Sequence, residues 1–262
     1  MSILNGTKIH PTAIIDPAAQ LGEDVSVGPF SIIGPNVVVG ARTTIASHVL
    51  IERDTEVGED CRISQGAVLG TDPQDLKYKG EPTRLVVGAR TVIREYATLN
   101  RGTLASGLTS VGSDCMLMSY VHVAHDCVLG DHVILANAVN LAGHVTIGDW
   151  VIVGGMTPVQ QFVRIGAHAF VGGQSRIAKD IPPFVKAAGI PVELYGLNSV
   201  GLQRRGFDEE TRRELKRAYR LFFGSTHNTT QALARAREEL RSLPEVEQFL
   251  GFFESSTHGV SR

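Results

Sequence analysis

Apolar positions in this chain recur every six residues. Stepping in sixes from Ile9 meets Ile15, Leu21, Val27, Ile33, Val39, Ile45, Ile51, Val57, Ile63 and Leu69, then Val87, Ile93 and Leu99, then an unbroken series from Val111 to Ile177. Of the 29 positions in this register, 26 are Ile, Leu or Val, and the exceptions are Asp75, Glu81 and Ala105. A period of six fits neither the 3.6-residue turn of a helix nor the alternation of a simple strand. It fits a chain that turns corners, with one inward aliphatic per short straight segment. Glycine directly follows 13 of the 26 aliphatics, which predicts a conformationally permissive residue at the bend.

A second column, four residues after each aliphatic, holds small or β-branched side chains such as Ala13, Ser31, Thr43, Val121 and Val145, and all three cysteines. Cys61, Cys115 and Cys127 are therefore predicted to be buried small hydrophobes rather than reactive thiols. Hexads of this kind close into a triangular parallel β-helix with three hexads, or 18 residues, per coil. From Ile9 to about Pro182 that makes roughly nine to ten coils, ~45 Å tall at ~4.8 Å per coil, each burying its aliphatics only against its neighbours. The register is interrupted by polar, Gly- or Pro-bearing stretches at 71–84 and 100–110, predicted as loops ejected from the coil. Loops on a rigid scaffold often carry function.

The pattern changes near residue 190. Residues 1–189 hold 22 glycines and 190–262 only six, and helical spacing appears in Leu215, Ala218, Tyr219 and Phe222, in Leu233, Ala236 and Leu240, and in Val246, Phe249, Leu250 and Phe253. Asp208 is the expected cap of the first helix, Thr229 or Thr230 of the second, with Gly224 and Pro244 as stops. The expected architecture is mainly β: a β-helix over 1–189, then a small C-terminal α-helical domain over 190–262.

Composition narrows the function. The formal net charge is −2, against the broad basic face of a nucleic-acid binder. No apolar run reaches the ~18 residues of a membrane span, and the N-terminus lacks the basic-then-apolar order of a signal peptide. A cytoplasmic location is expected.

Residues 18 apart should stack in such a coil. That places His125 under Gly143, Asp126 under His144, and Gln161 over Gly143, with His122 on the coil of His125. The group suits acyl transfer without a covalent intermediate. His125 can take a proton from an acceptor hydroxyl, Asp126 can orient its ring, and a free Gly143 N–H can hold a developing oxyanion. No serine or cysteine occupies a nucleophile motif, which favours direct attack. His122, His125 and His144 could instead imitate a three-histidine zinc site, but that leaves the acidic neighbour and the 71–84 loop unexplained, so no metal is expected. His10, His48, His132, His168, His227 and His258 are expected on solvated faces.

These features resemble the bacterial UDP-N-acetylglucosamine O-acyltransferase family. The likeness is carried by Gln-Asp-Leu-Lys-Tyr-Lys-Gly-Glu-Pro-Thr-Arg at 74–84, Arg-Gly-Thr at 101–103, His-Val-Ala-His-Asp-Cys at 122–127, Leu-Ala-Gly-His-Val at 141–145, Gly-Gly-Met-Thr at 154–157 and Arg-Arg-Gly-Phe at 204–207. The resemblance implies a left-handed coil and a homotrimer with sites between subunits. It implies transfer of an (R)-3-hydroxyacyl chain from the phosphopantetheine of acyl carrier protein to the 3-hydroxyl of a UDP-sugar, the first step of lipid A synthesis, with no further cofactor. By family role His125 is the base, Asp126 its partner and Gly143 the oxyanion donor. Asp75, Lys77, His122, His144 and Gln161 surround the sugar or the acyl donor, and Asn198, Arg204 and Arg205 the nucleotide. Gly173 limits acyl length and, being small, implies a chain of about C12–C16. Family members carry His at the positions of Asn100 and Gln160 and an acid at that of Val200. The alternative acceptor is therefore a 3-amino sugar, giving an amide.

Overall fold

The computed structural model describes residues 2–3 and 6–262. Among them, short strands form three sheets of nine, eleven and eight strands, in which each strand pairs with the one three places along the chain, except for the last two strands of the eleven-stranded sheet, which follow directly on one another. That is a three-walled parallel β-helix. Ile15 pairs with Ile33 and Ile33 with Ile51, the 18-residue stacking expected from the hexads. The register lengthens twice: Leu69 pairs with Leu99 and Leu99 with Val123. The extra residues leave the wall as loops. The strands Val68–Thr71, Arg84–Val87, Thr98–Asn100 and Leu108–Val111 bound loops over 72–83 and 101–107. From Leu21 onward the aliphatic column is buried, and Val25, Cys61, Val121 and Val145 of the second column are fully buried with it. Burial pushes the thiols up, Cys115 to about 11 and Cys127 to about 12, so they are inert packing groups.

The bends differ from the expectation in one respect. The left-handed residue of each corner lies three places after the aliphatic and is seldom glycine: Asp60 (φ 56°), Asp114 (57°), Asp126 (60°), His144 (62°) and Trp150 (61°) all occupy it. The glycine directly after the aliphatic serves close approach. A Cβ on Gly28 would stand 2.7 Å from the Ala46 carbonyl carbon of the next coil, so there the missing side chain, rather than a permissive φ, sets the residue.

The coil ends in a hairpin, Val185–Ala188 against Glu193–Leu197, and residue 190 falls in its turn. Four helices follow: α1 (Ser199–Arg204), α2 (Glu209–Phe223), α3 (Thr229–Glu239) and α4 (Pro244–Ser255). Asp208 caps α2 through the Thr211 N–H, and Gly224 closes it. The α3 cap is Asn228 rather than a threonine, because Asn228 and Gln231 bond reciprocally in a capping box. Pro244 opens α4, where its missing N–H costs nothing. Phe222, Phe249 and Phe253 pack the helices together. None of the helices is long and apolar enough to cross a membrane.

Candidate active site

One corner of the prism gathers the predicted chemistry. Asp126 sits at the bend, its side chain about 1% exposed, and its Oδ2 accepts the His125 Nδ1–H at 2.8 Å. With Nδ1 donating, the lone pair of His125 lies on Nε2. Directly above, the His144 Nε2 is 3.6 Å from the same Oδ2. The His144 ring meets His125 edge-on at 5.1 Å and lies flat on Phe162 at 4.6 Å. A Cβ on Gly143 would stand 2.4 Å from His125 Cε1 and 2.7 Å from Nε2, so this glycine makes room for the imidazole. The Gly143 N–H has no protein partner among the described residues. At the equivalent place in other hexads the Ser113 and Asp131 N–H groups donate to Asp131 and Asp149 carboxylates at 2.7 and 2.9 Å, so a corner N–H of this type accommodates an anionic oxygen.

Burial alone would raise the Asp126 pKa, but the hydrogen bonds from Ser106, Thr103 and His125 outweigh it and hold the carboxyl at about 2. Thr103 donates through its N–H at 3.0 Å and its hydroxyl at 2.7 Å, and Ser106 donates its hydroxyl. Sequence reasoning gave neither residue a role. Thr103 lies within the Arg-Gly-Thr motif, but nothing in the spacing says that an ejected loop folds back onto this carboxylate. His122 bonds the Thr98 hydroxyl through Nδ1 at 2.8 Å; burial, helped by the charge of His125, holds its pKa below the ordinary imidazole range.

Two grooves meet at Gln161. One, about 390 Å³, is lined by Gln74, His122, His125, Gly143 and Pro158. The other, about 330 Å³, is lined by Asp75, Lys77, Thr103, His144 and Phe162. The fully buried guanidinium of Arg101 joins the two loops through the Gly70 carbonyl, Asp72 and the Tyr78 hydroxyl. His125, Asp126 and His144 could also hold a cation, their ligand atoms lying within 4.8 Å of one another, but both Asp126 oxygens already carry two donors.

Other predicted site residues lie on other corners. Arg205 stacks over Trp150 at 5.4 Å and approaches His168 Nδ1 at 3.4 Å. Asn198 caps α1 and donates to the His168 carbonyl at 3.0 Å; Arg204, the last residue of α1, is exposed. His168 is not the solvated surface group expected from sequence: burial, with Arg205 beside it, lowers its pKa to about 4. Gly173 stacks on Gly155 at the third corner. Asn100 is buried with its amide donating to Thr71 and Asp72, so it fastens the 72–83 loop, while Gln160 and Val200 are exposed.

Comparisons with known proteins match nearly the whole chain. A family model described as Udp N-acetylglucosamine O-acyltransferase, domain 2, matches residues 180–261, and bacterial transferase hexapeptide repeats match 18–53 and 109–143. An acyl-[acyl-carrier-protein]–UDP-N-acetylglucosamine O-acyltransferase of Chlorobaculum parvum is 59% identical, over 97% of this chain and 96% of that one. One from Thermodesulfovibrio yellowstonii is 45% identical, over 97% and 99%. A solved structure from Acinetobacter baumannii superposes with a TM-score of 0.95 at 44% identity, over 97% and 99%. With identity of 45–59% to these relatives and a close superposition over nearly the whole length, this chain belongs to the acyl-[acyl-carrier-protein]–UDP-N-acetylglucosamine O-acyltransferase family.

Proposed function

We propose that this acyltransferase moves an (R)-3-hydroxyacyl chain from the phosphopantetheine thiol of acyl carrier protein to the 3-hydroxyl of UDP-N-acetylglucosamine, with His125 as general base. The observation that carries this reading is the convergence of His125 Nε2 with the Gly143 backbone, while the other ring nitrogen is held by Asp126. Nε2 takes the hydroxyl proton as the oxygen attacks the thioester carbonyl. The Gly143 N–H bonds the oxyanion, and collapse of the adduct breaks the C–S bond. The proton held on His125 then goes to the departing thiolate, leaving an ester. Asp126, ionised well below neutral pH, stabilises the imidazolium in between. Asp75, Lys77, His122, His144 and Gln161 line the grooves on either side, where the sugar and the acyl donor would lie.

The same proposal calls for a homotrimer. Asn198, Arg204 and Arg205 sit by the Trp150–His168 corner and Gly173 by Gly155, on different edges of the prism from His125. A side of six residues spans at most about 20 Å. One nucleotide sugar cannot touch two corners of the same chain around a wall, but a second copy can bring its Arg205 corner against the His125 corner of the first. The reaction needs no cofactor beyond the carrier's own phosphopantetheine, and its substrates place it in the cytoplasm.

The test offers the purified protein UDP-N-acetylglucosamine and its 3-amino analogue separately, each with a panel of 3-hydroxyacyl carrier proteins. Ester formation with the 3-hydroxyl sugar and C12–C16 donors is expected, and Gly173→Met should move the preference to shorter donors. Amide formation with the amino sugar alone would replace the proposed acceptor.

A further inference from the structure

Asp126 is shared by two histidines and one loop. Its Oδ2 lies 2.8 Å from His125 Nδ1 and 3.6 Å from His144 Nε2. Either imidazole could take that oxygen if the carboxylate turned, since both rings stand beside it. His144 does not need the bond to keep its place, because Phe162 already stacks on its face. Something else must settle the choice, and the loop over 101–107 is so placed. Oδ1 accepts the Thr103 N–H at 3.0 Å and the Ser106 hydroxyl, while the Thr103 hydroxyl reaches Oδ2 at 2.7 Å. Thr109, just past the loop, takes the Asp126 backbone N–H at 2.8 Å. Three donors from one segment fix the carboxylate plane and its rotation together.

We propose, on the acyl-transfer reading above, that Thr103 and Ser106 are positioning residues that keep the Asp126 carboxylate on His125 and away from His144. Through Asp126 they set which nitrogen of His125 carries its proton, and so keep the Nε2 lone pair facing the groove. The charged and titratable groups around this point are few. His125 and His144 face Asp126 directly, while Asp75, Lys77 and Glu81 line the groove shared with His144. Arg101 is turned away toward Gly70, Asp72 and Tyr78. None of these replaces the loop's donors.

The rival role is purely structural: Asp126 anchors the loop, and the loop does nothing in return. Full-length Ser106→Ala, Thr103→Val and Ser106→Thr separate the two. In the free enzyme, ¹⁵N NMR should find His125 with its proton on Nδ1. Ser106→Ala and Thr103→Val should each give a mixture of tautomers, and Ser106→Thr should restore the parent spectrum. In turnover, each loss variant should lower kcat about tenfold, and Ser106→Ala should leave KM for both substrates unchanged, within the range expected when a reacting group is misplaced by a fraction of an ångström. Where Ser106→Ala fails to fold, Thr103→Val carries the same test. A variant that melts earlier yet keeps the His125 tautomer and the parent kcat would overturn the proposal and leave the loop as a passenger. The tautomer is read without substrate, so it stands or falls apart from the function assigned above: retained turnover in His125→Ala would remove the base but not the clamp.

Discussion

Asp114 and Asp126 occupy the same slot in their hexads, with φ of 57° and 60°, and have opposite surroundings. Asp114 is on an open edge, where Arg90 grips it with two bonds of 2.7 and 2.6 Å, as Arg42 grips Asp60 on the same corner. Those arginines lower the carboxyl pKa values, and water screens the pairs. Asp126 has no arginine. Its partners are hydroxyls, an N–H and an imidazole inside the protein. An arginine would neutralise the carboxylate outright; neutral donors leave its charge available to the neighbouring imidazole, as the proposed mechanism requires. The repeat supplies a backbone slot, and what folds over the slot decides whether it becomes a surface ion pair or a working carboxylate.

The contrast is broken most severely at its centre. His125→Ala should lower kcat about 10²- to 10⁴-fold, the usual worth of a general base, measured as acyl transfer at saturating substrates. Next comes Gly143→Ala: the added methyl must displace the imidazole it would meet at 2.4 Å, and about a hundredfold loss is expected from that misplacement. Gly251→Ala meets nothing within 4 Å and should behave as the parent.

The smallest effect compares stability across pH. Asp126 titrates at about 2 when folded against about 3.9 unfolded. Its folded pKa is depressed, so its contribution is complete above about pH 4 and is lost as pH falls toward 2. The melting-temperature gap between parent and Asp126→Asn should therefore narrow over that window. Asp114→Asn should leave melting temperature near neutral pH, and activity, close to the parent's; a gap as large as that of Asp126→Asn would erase the distinction.

Much of the molecule was legible because the coil is a local rule repeated. Ile33 above Ile15 and Gly143 above His125 follow from counting eighteen. Asp208 and Gly224 could be read because caps are chosen by neighbours within four residues. What could not be counted lies in the loops, where the period stops. Thr103 and Ser106 reach Asp126 across 23 and 20 residues of sequence, and Arg101 reaches Gly70 and Tyr78. The helix cap at Asn228 was missed for a smaller reason: Thr229 has the right chemistry one place too late. The bends misled because glycine has two uses, and at Gly28 it is the approach of the next coil that excludes a side chain.

Gly143 contributes by lacking an atom, and that restricts how such an enzyme can change. Any residue but glycine at this point pushes on the His125 imidazole, so a side chain there is excluded unless the ring moves. The prism is equally unforgiving, since each inward side chain is wedged between two storeys. Freedom to acquire a new acceptor or a different donor therefore lies in the segment 72–83, which can be rewritten while the walls and the Asp126 clamp stay still.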